Sequence, residues 1–342
     1  MSRVPANDYA QIKRIVTEHH LLDAQPLYYV LKTVIALVSV ASAIAVAVVA
    51  SHPAILLLDA VFLGFASTQV ALLAHDVGHR QSYRGRRTNT VARLFFGNLL
   101  LGVSHSWWNT KHNQHHATPN HISDDPDVQF PFLVFAKEQI ESRSRLLRPL
   151  IAFQTVVFCM VVPLQAIGMR VNTVSHLLSG AARTPRLQWS VLALHFAAYG
   201  LLLYSLPSWQ LALGFFAVHH VTFGIYNSSV FATNHKGMPL ITEAGRLDFL
   251  REQVLTSRNV TGRALTDFWY GGLNYQIEHH LFPTMPRNNL ARAKTLVEAF
   301  CEERGIANHE TSLLVSYREV FRQLHAASAP LRSRQAVLSP TP

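Results

Sequence analysis

The chain has 342 residues, 49% of them hydrophobic and only 15% charged, and its apolar residues are gathered into long runs; this excludes an ordinary soluble globule, for which a charged share of about 25% is usual. The formal charge of +10 would suit nucleic acid, but residues 33–74 and 187–235 contain no Lys or Arg, so the basic groups flank the apolar runs as in membrane proteins, and no nucleic-acid partner is expected. Cys159 and Cys301 are the two cysteines, which excludes a disulfide scaffold and a cysteine-ligated zinc ribbon.

In chain order, residues 1–32 form an N-terminal arm in which Tyr9, Ile12, Val16 and His20 recur at helical spacing, predicting an amphipathic helix on the cytoplasmic side without a cleaved leader. Thr33 to Ala50 and Ala54 to Ala74 are each long enough to cross about 30 Å of hydrocarbon, and only Ser51-His52-Pro53 separates them. They predict one transmembrane hairpin; Val191 to Leu206 and Trp209 to Thr233, turning at Pro207-Ser208, predict a second. Leu150 to Met169 is also apolar, but a crossing there would put the flanking histidine clusters on opposite faces, so it is expected to be interfacial or re-entrant. The expected fold is an all-α membrane protein: two helical hairpins giving four spans, with a cytoplasmic helical cap. Residues 33–289 form the membrane domain with its cap, 290–325 the C-terminal cap helices, and 326–342, rich in Pro, Ser and Arg, a disordered tail.

Three clusters carry chemistry: His75-Asp76-Val77-Gly78-His79, His112-Asn113-Gln114-His115-His116 and Gln276-Ile277-Glu278-His279-His280. Residues at i, i+3 and i+4 share one helix face, so each cluster projects its imidazoles, and in the third box also the Gln276 amide, from one stripe. Seven imidazoles exceed what one tetrahedral ion uses, which points to two metals; imidazole suits zinc, copper, iron and nickel alike. Asp76, Glu278, Asp124, Asp125 and Asp127 are placed to accept the second N–H of ligand histidines, and Gln276 stands beside the ligands. Lys111, Lys236 and Arg258 are candidate contacts for a carrier phosphate or lipid headgroup. His195, His219 and His220, inside the second hairpin, are expected to be helix-to-helix hydrogen-bonding groups or the polar lining of a cavity rather than ligands.

The ordered set H-x3-H, H-x2-H-H and Q-x2-H-H, interleaved with two hydrophobic hairpins, resembles the membrane fatty acid desaturases from about Leu31 to Arg287. Flanking stretches such as Asp125-Pro126-Asp127 and Asn234-His235-Lys236-Gly237-Met238 extend the likeness. The resemblance implies a non-haem di-iron centre that uses O2 to place a cis double bond in a long-chain acyl group. In this reading His75, His79, His112, His115, His116, His279 and His280 are catalytic metal ligands, with His235 as a further ligand. Gln276 at the head of the third box resembles front-end desaturases. The only His-Pro is His52-Pro53, followed by Ala54, so no haem-binding His-Pro-Gly-Gly occurs, and electrons are expected from a separate ferredoxin, or cytochrome b5 with its reductase. The acyl group would ride on coenzyme A, a carrier protein or a membrane lipid, and the expected location is a bacterial inner membrane with a cytoplasmic active site. The same histidine set also admits an acyl or lipid hydroxylase and, more remotely, a histidine-lined metal transporter.

Overall fold

The structure, a computed structural model, describes residues 7–242 and 247–338. The chain divides into two compact units: an apolar one of residues 24–110 and 162–229, and a histidine-rich one of residues 1–23, 111–161 and 230–342.

In the apolar unit, Pro26–Val49 and Pro53–Gly78 are helices of 24 and 26 residues, each with proline in its first turn, where the missing N–H costs nothing. The His52 side chain accepts the Ala54 N–H at 3.3 Å and caps the second helix. Small residues let these helices approach closely: Ala43 and Ala47 pack with Leu56, Ala60 and Leu63, while Leu27, Val34, Val38 and Leu58 stay exposed, as suits a lipid-facing surface. A Cβ at Gly64 would lie 2.7 Å from Thr222 Cβ and 2.9 Å from the His219 carbonyl, so Trp209–His235 packs directly on Pro53–Gly78.

Among the described residues, four helices are long and apolar enough to cross a membrane: Pro26–Val49, Pro53–Gly78, Gln154–Leu178 and Pro185–Tyr204. The set differs from the one expected. Gln154–Leu178 qualifies, although a 3-10 turn at Val162–Leu164, built around Pro163, divides it. Trp209–His235 has 27 residues but is not among the four, because its interior face carries polar groups. These groups are satisfied within the unit: Ser67 Oγ lies 3.1 Å from His219 Nε2, and Asn227 and Ser228 both donate to Gln165 Oε1, at 2.8 and 2.9 Å. His219 and His195, whose Nδ1 bonds the Leu99 carbonyl of the π-helix Leu94–Leu100, therefore have the interhelical bonding role expected of them, whereas His220 Nδ1 bonds the Phe216 carbonyl of its own helix.

After Arg86–Arg93 the chain passes through a π-helix, Leu94–Leu100, and a buried polar knot. Gln188 Oε1 accepts from Ser104 Oγ at 2.7 Å and from Ser106 Oγ at 3.1 Å, and Thr173 Oγ1 accepts the Ser104 N–H. This knot fixes the start of His105–Ala117, the helix that carries the second histidine box.

In the histidine-rich unit, Asp8–Glu18 is the expected amphipathic helix, and its Ile12 and Val16 belong to a core with Ala293, Val297 and Phe300. The helix Leu290–Glu303 lies in the segment 290–325 expected to be C-terminal helices, Leu313–Ala327 runs two residues past it, and Val320 and Leu324 pack on Val128, Leu133 and Phe135. Two features depart from the sequence expectation. Asn259–Val260 and Glu310–Thr311 pair as a short parallel ladder. The tail expected to be disordered is helical over Ala329–Leu338, because Ala327 and Leu331 bury against Ile151 and Ala152; residues 339–342 of that tail lie outside the described residues.

Candidate metal centre

The His105–Ala117 helix puts His112, His115 and His116 on one stripe, with His112 and His115 buried. The third box is a short helix, Gln276–Leu281, all six residues of which are buried. It begins after Gly271 and Gly272, whose φ of +59° and +86° end the preceding helix in the left-handed region. His235 is the last residue of Trp209–His235.

Within the histidine-rich unit, His115, His235 and His280 bring one ring nitrogen each to within 4.8 Å of the others. Their hydrogen bonds fix which nitrogen it is. His115 Nδ1 lies 3.0 Å from both carboxylate oxygens of Asp125. His235 Nδ1 lies 3.1 Å from the Thr256 carbonyl, and His280 Nδ1 lies 2.9 Å from Gln253 Oε1. Carboxylate, carbonyl and amide oxygens accept, so each Nδ1 carries a proton, which in the neutral ring leaves Nε2 its lone pair. Two of those lone pairs, on His115 and His235, face each other at 3.2 Å, where two acceptors repel. The buried Nε2 of His280 has no hydrogen-bond partner among the described residues. Burial, then the rings of His116, His235, His115 and His279, push His280 well below the ordinary imidazole range, so it is neutral. Three buried imidazoles that each turn Nδ1 to an acceptor and bring one ring nitrogen near the others make a group that could hold a cation.

The same unit holds His112, His116 and His279. His116 Nε2 lies 3.1 Å from His112 Nε2, and the His116 and His279 rings are 4.9 Å apart. In the apolar unit, His75 and His79 lie at the end of Pro53–Gly78, both buried, with ring centroids 4.7 Å apart, and Asp76 Oδ1 is 3.4 Å from His75 Nδ1.

The predicted supporting residues divide. Asp125, fully buried, is the direct partner of His115, and Asp127 stands farther off, its Oδ2 3.6 Å from His115 Nδ1. Burial disfavours the charge on Asp127, but Lys111, His115 and Lys236 outweigh it and hold the carboxyl well below the usual carboxylate range. Gln276 lies at the centre: its Nε2 is 2.9 Å from His235 Nε2, and its Oε1 accepts from Asn234 at 2.9 Å. Glu278 does not hold a histidine. Two residues beyond Gln276, it turns off the stripe and accepts from Asn259 Nδ2 at 2.9 Å, with burial pushing its carboxyl up to about 7. Asp124 is exposed and bonds Ser123.

The three cations expected at a carrier or headgroup are engaged by the protein. Lys111 pairs with Asp127, and Lys236 Nζ donates to the Asp127 carbonyl at 2.7 Å and lies over the Phe135 ring. Arg258 is fully buried; it donates to the Thr233 and Lys236 carbonyls and pairs with Glu319, so it cannot reach a carrier phosphate. Asn120, Gln253 and Thr256, which hold these histidines or their partners, carry no periodic signal in the sequence; only the fold brings them here.

Asp125→Asn leaves one acceptor oxygen and a donor NH2 where His115 Nδ1, the Asn120 N–H and the Asp127 N–H share two acceptor oxygens, whereas Asp127→Asn leaves the Asp125 contact intact. Metal affinity is expected to fall about 10–100-fold for the first and less than tenfold for the second, measured by competition with a chelator of known affinity; the reverse order would contradict this assignment.

The family model described as fatty acid desaturase matches residues 50–312. The chain is similar to an acyl-lipid (9-3)-desaturase of Physcomitrium patens, 29% identical over 97% of this chain and 65% of that one. It is 31% identical to a Delta(5) fatty acid desaturase of Caenorhabditis elegans over 87% of this chain and 68% of the relative, and 32% identical to a Delta(8)-fatty-acid desaturase of Euglena gracilis over 78% and 68%. This chain thus spans about two thirds of the length of these relatives. With a family match that takes in the second and third histidine boxes as well as the first, the chain belongs to the fatty acid desaturase family.

Proposed function

We propose that this protein is an O2-dependent acyl desaturase that places a cis double bond in a long-chain acyl group at a non-haem di-iron centre. The proposed ligands are His75, His79, His112, His115, His116, His235, His279 and His280. The observation that carries the reading is the fixed orientation of His115, His235 and His280, each giving its Nδ1 proton to an acceptor and turning its Nε2 lone pair toward the other two. When bound, the iron pair supplies O2 activation: an acyl –CH2–CH2– unit, O2, two electrons and two protons give –CH=CH– and two waters. The residues of this chain hold the imidazoles neutral and correctly turned; Asp125, the Thr256 carbonyl and Gln253 do so for one group of three.

In this reading the apolar helices anchor the chain as a multi-pass protein, Pro26–Val49 pairing with Pro53–Gly78 and Pro185–Tyr204 with Trp209–His235. The Lys/Arg bias of the flanking segments supports a cytoplasmic position for the centre. Electrons come from a separate carrier, ferredoxin or cytochrome b5, and the names of the relatives favour desaturation over hydroxylation. Expression in a host with a compatible carrier, followed by gas chromatography and mass spectrometry of total fatty acids, tests the proposal. A new acyl species lighter by two hydrogens is expected. A product heavier by one oxygen would assign a hydroxylase instead, and an unchanged profile with an active carrier would count against the activity.

A further inference from the structure

Asn120 follows the second histidine box in a loop and has a φ of +59°, a left-handed conformation that L side chains other than Asn and Asp rarely adopt. It is fully buried, and its backbone N–H and side-chain amide both reach the groups that hold His115 and His235. Its N–H donates to Asp125 Oδ2 at 2.8 Å, and Asp125 in turn takes the His115 Nδ1 proton. Its side-chain NH2 stands among three carbonyls: His235 at 3.1 Å, Pro239 at 3.1 Å and Thr256 at 3.2 Å. The Thr256 carbonyl is also the acceptor of the His235 Nδ1 proton. Its own carbonyl accepts the Ile241 N–H at 3.0 Å.

One residue therefore grips the acceptor that turns His115, the acceptor that turns His235 and the backbone of His235 itself. The orientation of its amide is fixed, because only an NH2 can face three carbonyls. That arrangement leaves Asn120 Oδ1 buried without a hydrogen-bond partner among the described residues, a cost that native proteins rarely accept without a function. Few residues meet both demands. Glycine takes the backbone conformation but has no donor, aspartate would set negative oxygen against three carbonyls, and other side chains resist a positive φ.

We infer that Asn120 is a positioning residue of the metal centre: it sets the separation and angle of the His115 and His235 Nε2 lone pairs, and so the affinity and geometry of the ion held with His280. It does not touch the metal. The inference rests on the reading that these three histidines hold a metal.

The test uses the purified full chain in detergent, stripped of metal and titrated with Co(II), whose visible absorption reports ligand geometry. Asn120→Gly keeps the backbone conformation and deletes the amide. The expected result is an apo protein that unfolds within a few degrees of the parent, binds Co(II) about 10–100-fold more weakly in one of its sites and shows an altered absorption band. Parent affinity and an unchanged band in Asn120→Gly would overturn the inference, as would a lowered apo unfolding temperature with the Co(II) spectrum intact, the pattern of a merely structural role. If Asn120→Gly does not fold, Asn120→Asp, nearly identical in shape, decides by the same spectrum: an altered band supports the inference and an unaltered one overturns it. Parent protein that takes up no Co(II) would overturn the metal reading itself, and the inference with it.

Discussion

His115→Ala is expected to abolish metal binding and turnover together, a larger loss than any other single histidine replacement in the histidine-rich unit. His115 converges with His235 and His280 through one ring nitrogen and is held by the Asp125 carboxylate through the other. Its removal leaves two imidazoles where three converged and strips Asp125 of the proton donor it was buried to meet. Loss of an outer partner alone costs about 10–100-fold in affinity, so loss of the ligand should exceed 100-fold. Iron per chain, measured after desalting, should fall together with the desaturated product. His121→Ala is the matched control. His121 is also buried, but its Nε2 pairs with Glu252 at 3.0 Å, outside the ligand groupings, so that variant should lose stability and keep its metal. A His115→Ala protein with the parent's iron content would remove this site from the centre.

The difference between those two histidines shows what a sequence can and cannot disclose. The boxes were legible because helical period alone puts residues three and four apart on one face. His235 had no such companion and entered only through the family resemblance; its role in the structure depends on the Thr256 carbonyl, 21 residues away along the chain. Asp125 and Asp127 were indistinguishable as letters, and the turn at Pro126–Val128 decides between them. Asp125 caps that turn, taking the Asp127 N–H at 2.8 Å, and so points inward at His115. Trp209–His235 reads as a span by length, yet its polar residues are bonded inside the apolar unit, which composition cannot reveal. The tail was misread for the opposite reason: Ser, Arg and Pro330 suggest disorder, but Pro330 falls in the first turn of a helix, where proline is tolerated, and Leu331 secures that helix to the core.

Arg258 gives the second large effect, and one that separates a structural role from a substrate-binding one. A carrier-contacting arginine would raise KM when replaced and leave unfolding unchanged. The buried guanidinium seen here predicts the opposite. Arg258 closes the end of Trp209–His235 by donating to the carbonyls of Thr233 and Lys236 on either side of His235, and its remaining arm pairs with Glu319, which His309 also approaches at 3.1 Å. Arg258→Met removes every donor at once and leaves Glu319 and two carbonyls to find water. Breaking a buried pair costs about 3–5 kcal/mol; because Glu319 is 24% exposed and can be partly rehydrated, about 3 kcal/mol is expected. Glu319→Gln, which keeps a hydrogen-bond acceptor for Arg258, should cost less than half as much. The unfolding midpoint should fall clearly for the first variant and slightly for the second, with KM for the acyl substrate unchanged in whatever fraction remains folded. A raised KM with a parental unfolding midpoint would return Arg258 to the substrate, and the end of the helix that carries His235 would then need another lock.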